Sequence, residues 1–444
     1  MQPNDFRPIY YLGCKKSFTP AIKAAIDEVD PGGGRLLDLF SGTCAVGSSL
    51  ALTREVTAVD VQEYSRVICS AMLRPAKLPL TKIECIKNAI LADETVKTLF
   101  WCVQPLIEHE NNCINTAVLG GSKELVEFLV APPVAGFDSN IYSKSNTKLG
   151  DVIQAVVDRL KSTGLWNSPN STVTRYFGGI YFSFQQAIML DAILIAADHS
   201  EENSKDTLKA AALSTASQIV NTVGKQFAQP IQPLNKAGAL KTNIVDKVQQ
   251  DRSANALEVF CHWLDKYAKL PLAIGKPQAF RQDYLEAIKQ HASGCSVIYA
   301  DPPYTRDHYS RFYHVLETMC LRDNPQISCV VKDGGLVLSR GAYREGRHQS
   351  PFCIKSAALG AFEALFKEAN DRNLPLVLSY SPHSSGDGTH PRVVSVDQII
   401  ELAHCYYTHT ELSVVEGVTH NQLNRRGLKL KTREHAEILL KCFC

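Results

Sequence analysis

The sequence contains no CxxC pair, although its 444 residues include 14 cysteines. The cysteines stand singly, at Cys14, Cys44, Cys69, Cys85 and onwards, and none has the His or Cys spacing of a zinc site. Structural zinc is not expected, and no metal ligands are assigned. An excess of one charge is lacking too: 47 Lys and Arg against 45 Asp and Glu leave a formal net charge of +2. Without a global field, any contact with an acidic polymer must come from local basic clusters. Long apolar runs are also missing. The longest, residues 187–197, contains Asp191 and is too short to span a bilayer. The first five residues lack the charged and apolar regions of a secretory signal, and there are no internal repeats or low-complexity tracts. These absences point to a reduced, soluble, cytoplasmic protein with no membrane partner.

The length suggests two or three structural units, or one body carrying a large insertion. Residues 17–29 have helical periodicity, with Phe18, Ile22, Ala25, Ile26 and Val29 on one face. Pro31 and three glycines break that helix and lead into a short apolar strand, 35–40. A second strand, 55–59, ends at Asp60, and the helix between them ends in residues 48–53, giving a βαβ unit. From about residue 88 the texture changes: Asn, Gln and Ser become frequent, and helical periods dominate, as in Val152, Val156, Val157 and Leu160. Strand signals return at 297–300, 375–380, 412–415 and 436–442, with helices at 315–321, 357–369 and 396–403. The expected fold is α/β: a Rossmann-like body formed by residues 1–87 and 280–444, split by a mostly helical insert with its own fold over 88–279.

Three groups of residues carry chemistry. Asp301-Pro302-Pro303-Tyr304 follows the apolar run 296–300, at the mouth of a buried strand where open α/β sheets bind ligands. An aromatic exocyclic amine is a poor nucleophile because its lone pair is delocalised into the ring. A carboxylate and the Pro302 carbonyl, accepting its two hydrogens, would help localise the pair, while Tyr304 stacks on a base that has left its duplex. The second group spans 36–47, a Gly-bearing turn containing Ser41 and Gly42, with Asp60 at the next strand end placed to accept ribose hydroxyls. Cys44 stands at the middle glycine of a GxGxxG-like spacing. That counts against the pyrophosphate of NAD or FAD and leaves S-adenosylmethionine, which has a ribose and an adenine but no pyrophosphate. In the third, Asp283 is an acceptor for a cofactor adenine and Tyr284 an apolar edge; a first-turn acid of the following helix explains Asp283 equally well.

Taken together these residues resemble the DNA adenine methylase family, the N6-adenine methyltransferases of bacterial restriction-modification and related systems. Tyr11-Leu12-Gly13-Cys14-Lys15 is similar to the family's aromatic-x-Gly-x-Lys segment, Asp38, Phe40 and Gly42 to its FxGxG turn, Asp60 and the adjacent Val61 to its ribose-acid position, and Asp301 to Tyr304 to its DPPY. Residues 309–317 resemble the segment after DPPY, 378–381 a later motif, and 176–186 with Asp191 a pattern of type IIS relatives. Cys44 departs from the family's glycine.

The resemblance implies a methyltransferase body that binds S-adenosylmethionine through the N-terminal motifs and Asp283, and an insert that recognises double-stranded DNA. Adenine N6 would then be methylated directly, with no covalent intermediate and no metal. The setting implied is restriction-modification or phage defence, with separately encoded subunits as possible partners. Methylation of adenine in RNA, or a non-catalytic DNA-binding subunit with a degenerate cofactor turn, are the rival readings. For nucleic-acid contact the sequence offers His308 and Tyr309 beyond DPPY, Arg340, Arg344, Arg347 and His348 in a basic loop over 332–355, and a second basic run from Arg425 to Arg433. Tyr181, Phe182 and Phe184 read as core.

Overall fold

The computed structural model describes residues 6–137, 147–303, 309–332, 334–381, 392–416 and 435–444. The strands are β1 (Leu36–Leu39), β2 (Val56–Asp60), β3 (Gln278–Arg281), β4 (Val297–Ala300), β5 (Cys329–Lys332), β6 (Gly335–Leu338), β7 (Leu376–Tyr380), β8 (His409–Glu416) and β9 (His435–Phe443). Seven of them form one sheet in the order β3-β2-β1-β4-β7-β9-β8, and β5 and β6 make a separate antiparallel hairpin. From β3 to β7 the sheet is parallel; β9 lies antiparallel between β7 and β8.

Parallel strands covered on both faces require apolar side chains on both, which is why β1, β2 and β4 read as continuous apolar runs. Leu36, Val56, Ala58, Val297 and Tyr299 enter one core, together with α1 (Thr19–Val29), α2 (Ala45–Leu50) and α3 (Glu63–Leu73). Leu37, Leu39, Val59, Ile298 and Ala300 enter the other. The alternation is the period-two geometry of a strand. Helix α1 buries Ile22, Ala25, Ile26 and Val29, and ends before Pro31, which disfavours a helical residue ahead of it.

Between α3 and β3 the described chain is helical: α4 (Leu80–Ala92), α5 (Glu94–Val118), α6 (Lys123–Val130), α7 (Lys148–Ser162), α8 (Thr172–Phe177), α9 (Phe184–Asp198), α10 (Glu202–Ile219), α11 (Ile244–Arg252) and α12 (Ala256–Ala268). This segment is not packed as one separate body. Residues of α9, α10 and α12 share the core of α3 and the sheet, whereas α5, α6, α7 and α11 surround a third core with Phe184 and Ile188 at the start of α9. Tyr181, Phe182 and Phe184 are all buried. Asp191 is buried in α9 and accepts from Val173 N (3.0 Å), Thr174 N (2.8 Å) and Thr174 Oγ1 (2.7 Å), fixing the first turn of α8.

The remaining helices are α13 (Tyr284–His291), α14 (Tyr309–Phe312), α15 (His314–Leu321), α16 (Ala358–Asn370) and α17 (Val396–His404). Residues of α13, α16 and α17 cover the second face of the sheet. Two boundaries read from the sequence fall inside elements: residue 88 within α4, and the step from 279 to 280 within β3. Strand β3 went unseen because Gln278-Ala279-Phe280-Arg281 has no apolar run, only one residue of the four being buried. The hairpin of β5 and β6 was also unseen, since Val330, Val331 and Leu336 are exposed. Among the described residues no helix is long and apolar enough to cross a membrane, and no group of His, Cys, Asp or Glu is arranged to hold a metal ion.

Candidate active site

Strand order reverses about β1, whose neighbours are β2 and β4, and a cavity opens at the C-terminal ends of these three strands. That crevice is the ligand position of open α/β sheets. The turn leaving β1 forms its floor. It uses three left-handed residues, Phe40 (φ 60°), Gly42 (φ 53°) and Cys44 (φ 61°). A Cβ on Gly42 would lie 2.8 Å from Tyr11 Oη, so a side chain there would displace Tyr11. Gly42 N donates to Asp60 Oδ2 (3.0 Å), tying the turn to the end of β2. Cys44 carries the conformation that glycine adopts at no steric cost, and its thiol is buried beneath the turn. Each non-glycine residue in this region costs on the order of 1 kcal/mol, strain that concentrates at functional sites.

Three carboxylates face the cavity from adjacent strand ends. Asp38, in β1, is buried and accepts from Gly47 N (3.1 Å); burial, and then the charge of Asp301, push its carboxyl up to about 8. Asp60 accepts from Gly42 N and from Gln62 N (2.9 Å), and burial raises it above the ordinary range against these hydrogen bonds. Asp301 lies beyond β4, with Oδ1 3.1 Å from Lys15 Nζ. Lys15 in turn lies 2.9 Å from Glu437 Oε1, which also accepts from Ser379 Oγ (2.9 Å). The ammonium is thus shared by two carboxylates, one at the cavity and one in β9. A buried charge needs such pairing, because desolvation alone costs several kcal/mol.

Aromatic rings make the walls. Tyr11 stacks on Tyr313 at 4.9 Å between ring centroids and lies 5.7 Å from Tyr309, while Leu12 N donates to Tyr313 Oη (2.7 Å). The segment carrying Gly13, Cys14 and Lys15 is therefore docked on α14 and the start of α15. At the opposite end, Phe40, Tyr284 and Phe352 pack edge to face or tilted, with centroids 5.2–5.5 Å apart. Asp283 lines this end, and one of its oxygens caps α13 by accepting from Leu285 N (2.9 Å).

Tyr11 to Lys15, Asp38 to Gly42, Asp60, Val61, Asp283, Tyr284, Asp301 to Pro303 and Tyr309 thus converge on one cavity from six separated stretches, Leu12 and Leu39 excepted as lining residues. Tyr304 and His308 lie outside the described residues, as does the basic run from Arg425 to Arg433. The basic loop contains the second strand of a hairpin, and two of its arginines turn inward. Arg340 donates to the carbonyls of Leu129 and Ile231, and Arg344 pairs with Asp323. Neither lines the cavity. Arg347 stays near the mouth, beside the lining residue His348. Sequence reasoning missed Glu437, because nothing local links β9 to Lys15, and it missed Phe352. The spacing of Tyr309 and Tyr313, one helical turn apart, was a usable signal for the ring stack on Tyr11.

Residues 11–97 match the family model of D12 class N6 adenine-specific DNA methyltransferases. The modification methylase LlaI of Lactococcus lactis subsp. lactis is 33% identical over 107 residues, which is 24% of this chain and 14% of that protein. The chain thus covers about a seventh of that relative's length. No solved structure matches the chain. The family match contains the aromatic-x-Gly-x-Lys segment, the β1 turn and Asp60, and ends before Asp301.

Proposed function

With residues 11–97 matching the D12 class adenine methylases and supporting that family for the chain, we propose that the protein transfers a methyl group from S-adenosylmethionine to N6 of an adenine extruded from double-stranded DNA. The observation that carries this reading is the junction of two half-sites in one cavity, Asp60 and Asp283 on one side and Asp301-Pro302-Pro303 on the other. The residues suit the cofactor: Asp60 for the ribose, the Phe40, Tyr284 and Phe352 wall with Asp283 for the adenine, and the Gly13 to Lys15 segment for the amino-acid end. The missing Cβ at Gly42 leaves room for Tyr11 against the turn. Bound there, S-adenosylmethionine supplies an electrophilic methyl on a sulfonium.

The chain's own residues position the nucleophile. Asp301 and the Pro302 carbonyl accept the two hydrogens of the adenine amine and turn its lone pair toward the cofactor side. Proline has no N–H and a fixed φ, so the carbonyl is offered from a stiff frame. Lys15 holds one oxygen of Asp301, which limits the carboxylate to few orientations. Positioning of this kind can account for several kcal/mol of a barrier. Tyr304 stacks on the base, and the helical segment 88–279 together with His308 and Tyr309 contacts the duplex. Service in restriction-modification or phage defence, beside separately encoded subunits, belongs to the same reading.

The test is methyl transfer from labelled S-adenosylmethionine to unmethylated genomic DNA and to rRNA in parallel. Label recovered from DNA as N6-methyladenine is the expected result. Label in rRNA alone would move the substrate to RNA, and absence of cofactor binding by calorimetry would overturn the enzyme reading.

A further inference from the structure

Beside the cavity, two guanidinium groups are held against one ring. The guanidinium carbon of Arg311 lies 5.4 Å from the centroid of Tyr343, and that of Arg347 lies 5.1 Å from it. The ring is pinned: its hydroxyl donates to the Ala228 carbonyl, Tyr343 N donates to Ser339 Oγ (3.0 Å), and His314 packs edge to face on it at 4.8 Å. Each arginine is the chain neighbour of a cavity-lining residue, Ser310 and His348 respectively. The backbone of each arginine therefore lies next to the lining of the proposed base pocket.

These two arginines have neither an ion pair nor a hydrogen-bond acceptor among the described residues. Arg322 pairs with Asp198, Arg344 with Asp323, and Arg340 is met by two carbonyls. Arg347 Nη1 is buried without a partner. Ser310, a lining residue next to Arg311 in the chain, also has a buried Oγ without a partner. A buried N–H with no acceptor costs about 1–3 kcal/mol, and two like charges brought to one ring repel. A single anion with several oxygens offsets the repulsion between the two guanidinium groups, and the planar fork of arginine matches phosphate oxygens in particular. The ring beneath contributes a cation-binding face and no charge of its own.

We propose that Arg311 and Arg347, braced on Tyr343, hold a backbone phosphate of the polynucleotide strand whose base enters the cavity. This rests on the reading of the cavity as a base pocket. A strand that delivers a base brings a phosphate on either side of it. Holding that phosphate fixes the extruded nucleotide by its backbone, independently of base identity.

Binding of a fluorescent 30-base-pair duplex of random sequence to the full chain, titrated across salt concentrations, tests the proposal. Arg311→Ala is the principal variant, because Arg311 is exposed; Arg347→Ala is the second. Lys367→Ala, which removes one exposed charge from α16, sets the size of a general charge effect. The double variant is expected to weaken binding several-fold and to lower the slope of log affinity against log salt by about 0.9, one phosphate contact, and each single variant to lower it by less. Affinity and slope in both arginine variants equal to those of Lys367→Ala would overturn the proposal. Methyl transfer by the unmodified chain is measured separately. An arginine-dependent salt slope without methyl transfer would keep this site and remove the methyltransferase reading, whereas transfer with unchanged slopes would do the reverse.

Discussion

The ammonium of Lys15 lies 2.9 Å from the carboxylate of Glu437, a residue 422 positions away in the chain and fully buried in β9. The other side of the same ammonium meets Asp301. Glu437 is thus a positioning residue for the proposed reaction, acting through Lys15. In Glu437→Gln the shape and the acceptor for Ser379 remain, but a charge-assisted hydrogen bond is lost, worth about 1.5–3 kcal/mol. The expected result is a fall in kcat of roughly tenfold or more, with KM for S-adenosylmethionine changed little. Steady-state methyl transfer reads both, and an unchanged kcat would sink the role.

Asp301→Ala removes the acceptor for the amine. By the size of one preorganised polar contact, it should cost about 3 kcal/mol in the transition state, more than a hundredfold in rate. Calorimetry should still detect cofactor binding, because Asp60 and Asp283, the proposed ribose and adenine acceptors, lie on other elements and Lys15 keeps Glu437 as a partner. Methyl transfer at the unaltered rate would show that the amine is held by other groups.

Asp38 gives a pH dependence whose sign follows from its surroundings. Its carboxyl is raised to about 8 by burial and by the charge of Asp301. Between the ordinary carboxylate value and 8, the folded chain keeps a proton that the unfolded chain has lost, so stability from this group falls as pH rises through that window. Thermal unfolding at several pH values should show Tm of the unmodified protein declining from about pH 5 to 8 relative to Asp38→Asn, which cannot titrate there. Parallel Tm curves for the two proteins would contradict it.

Asp191→Ala leaves Val173 N, Thr174 N and Thr174 Oγ1 without their acceptor in a buried place. A loss of roughly 3 kcal/mol is expected, at the high end for single substitutions. Denaturant unfolding of the full chain measures it, and a change under about 0.5 kcal/mol would mean that α8 is anchored elsewhere.

Much of the site was legible in the sequence because it depends on strand ends. Asp38, Asp60 and Asp301 each lie in or directly after a short apolar run, and in a parallel sheet those ends lie side by side. The arginines of the basic loop were not legible in the same way. Whether Arg340 reaches solvent or the carbonyls of Leu129 and Ile231 depends on how distant helices pack, and no local pattern encodes that. Cys44 lies between the two cases. The sequence marked it as a departure from glycine; the structure gives the reason glycine suits the position, a left-handed φ of 61°.

What the sequence determined by itself is the set of local features: apolar runs of period two, helical faces, and acids and glycines where strands end. These follow from residue properties and spacing within a few positions. Tertiary structure alone decided which distant charges meet. The pairing of Lys15 with both Asp301 and Glu437 comes from packing across hundreds of residues, where desolvation of each charge selects its partner, and the placing of Arg311 and Arg347 on one ring depends on how the hairpin loop folds back on α14.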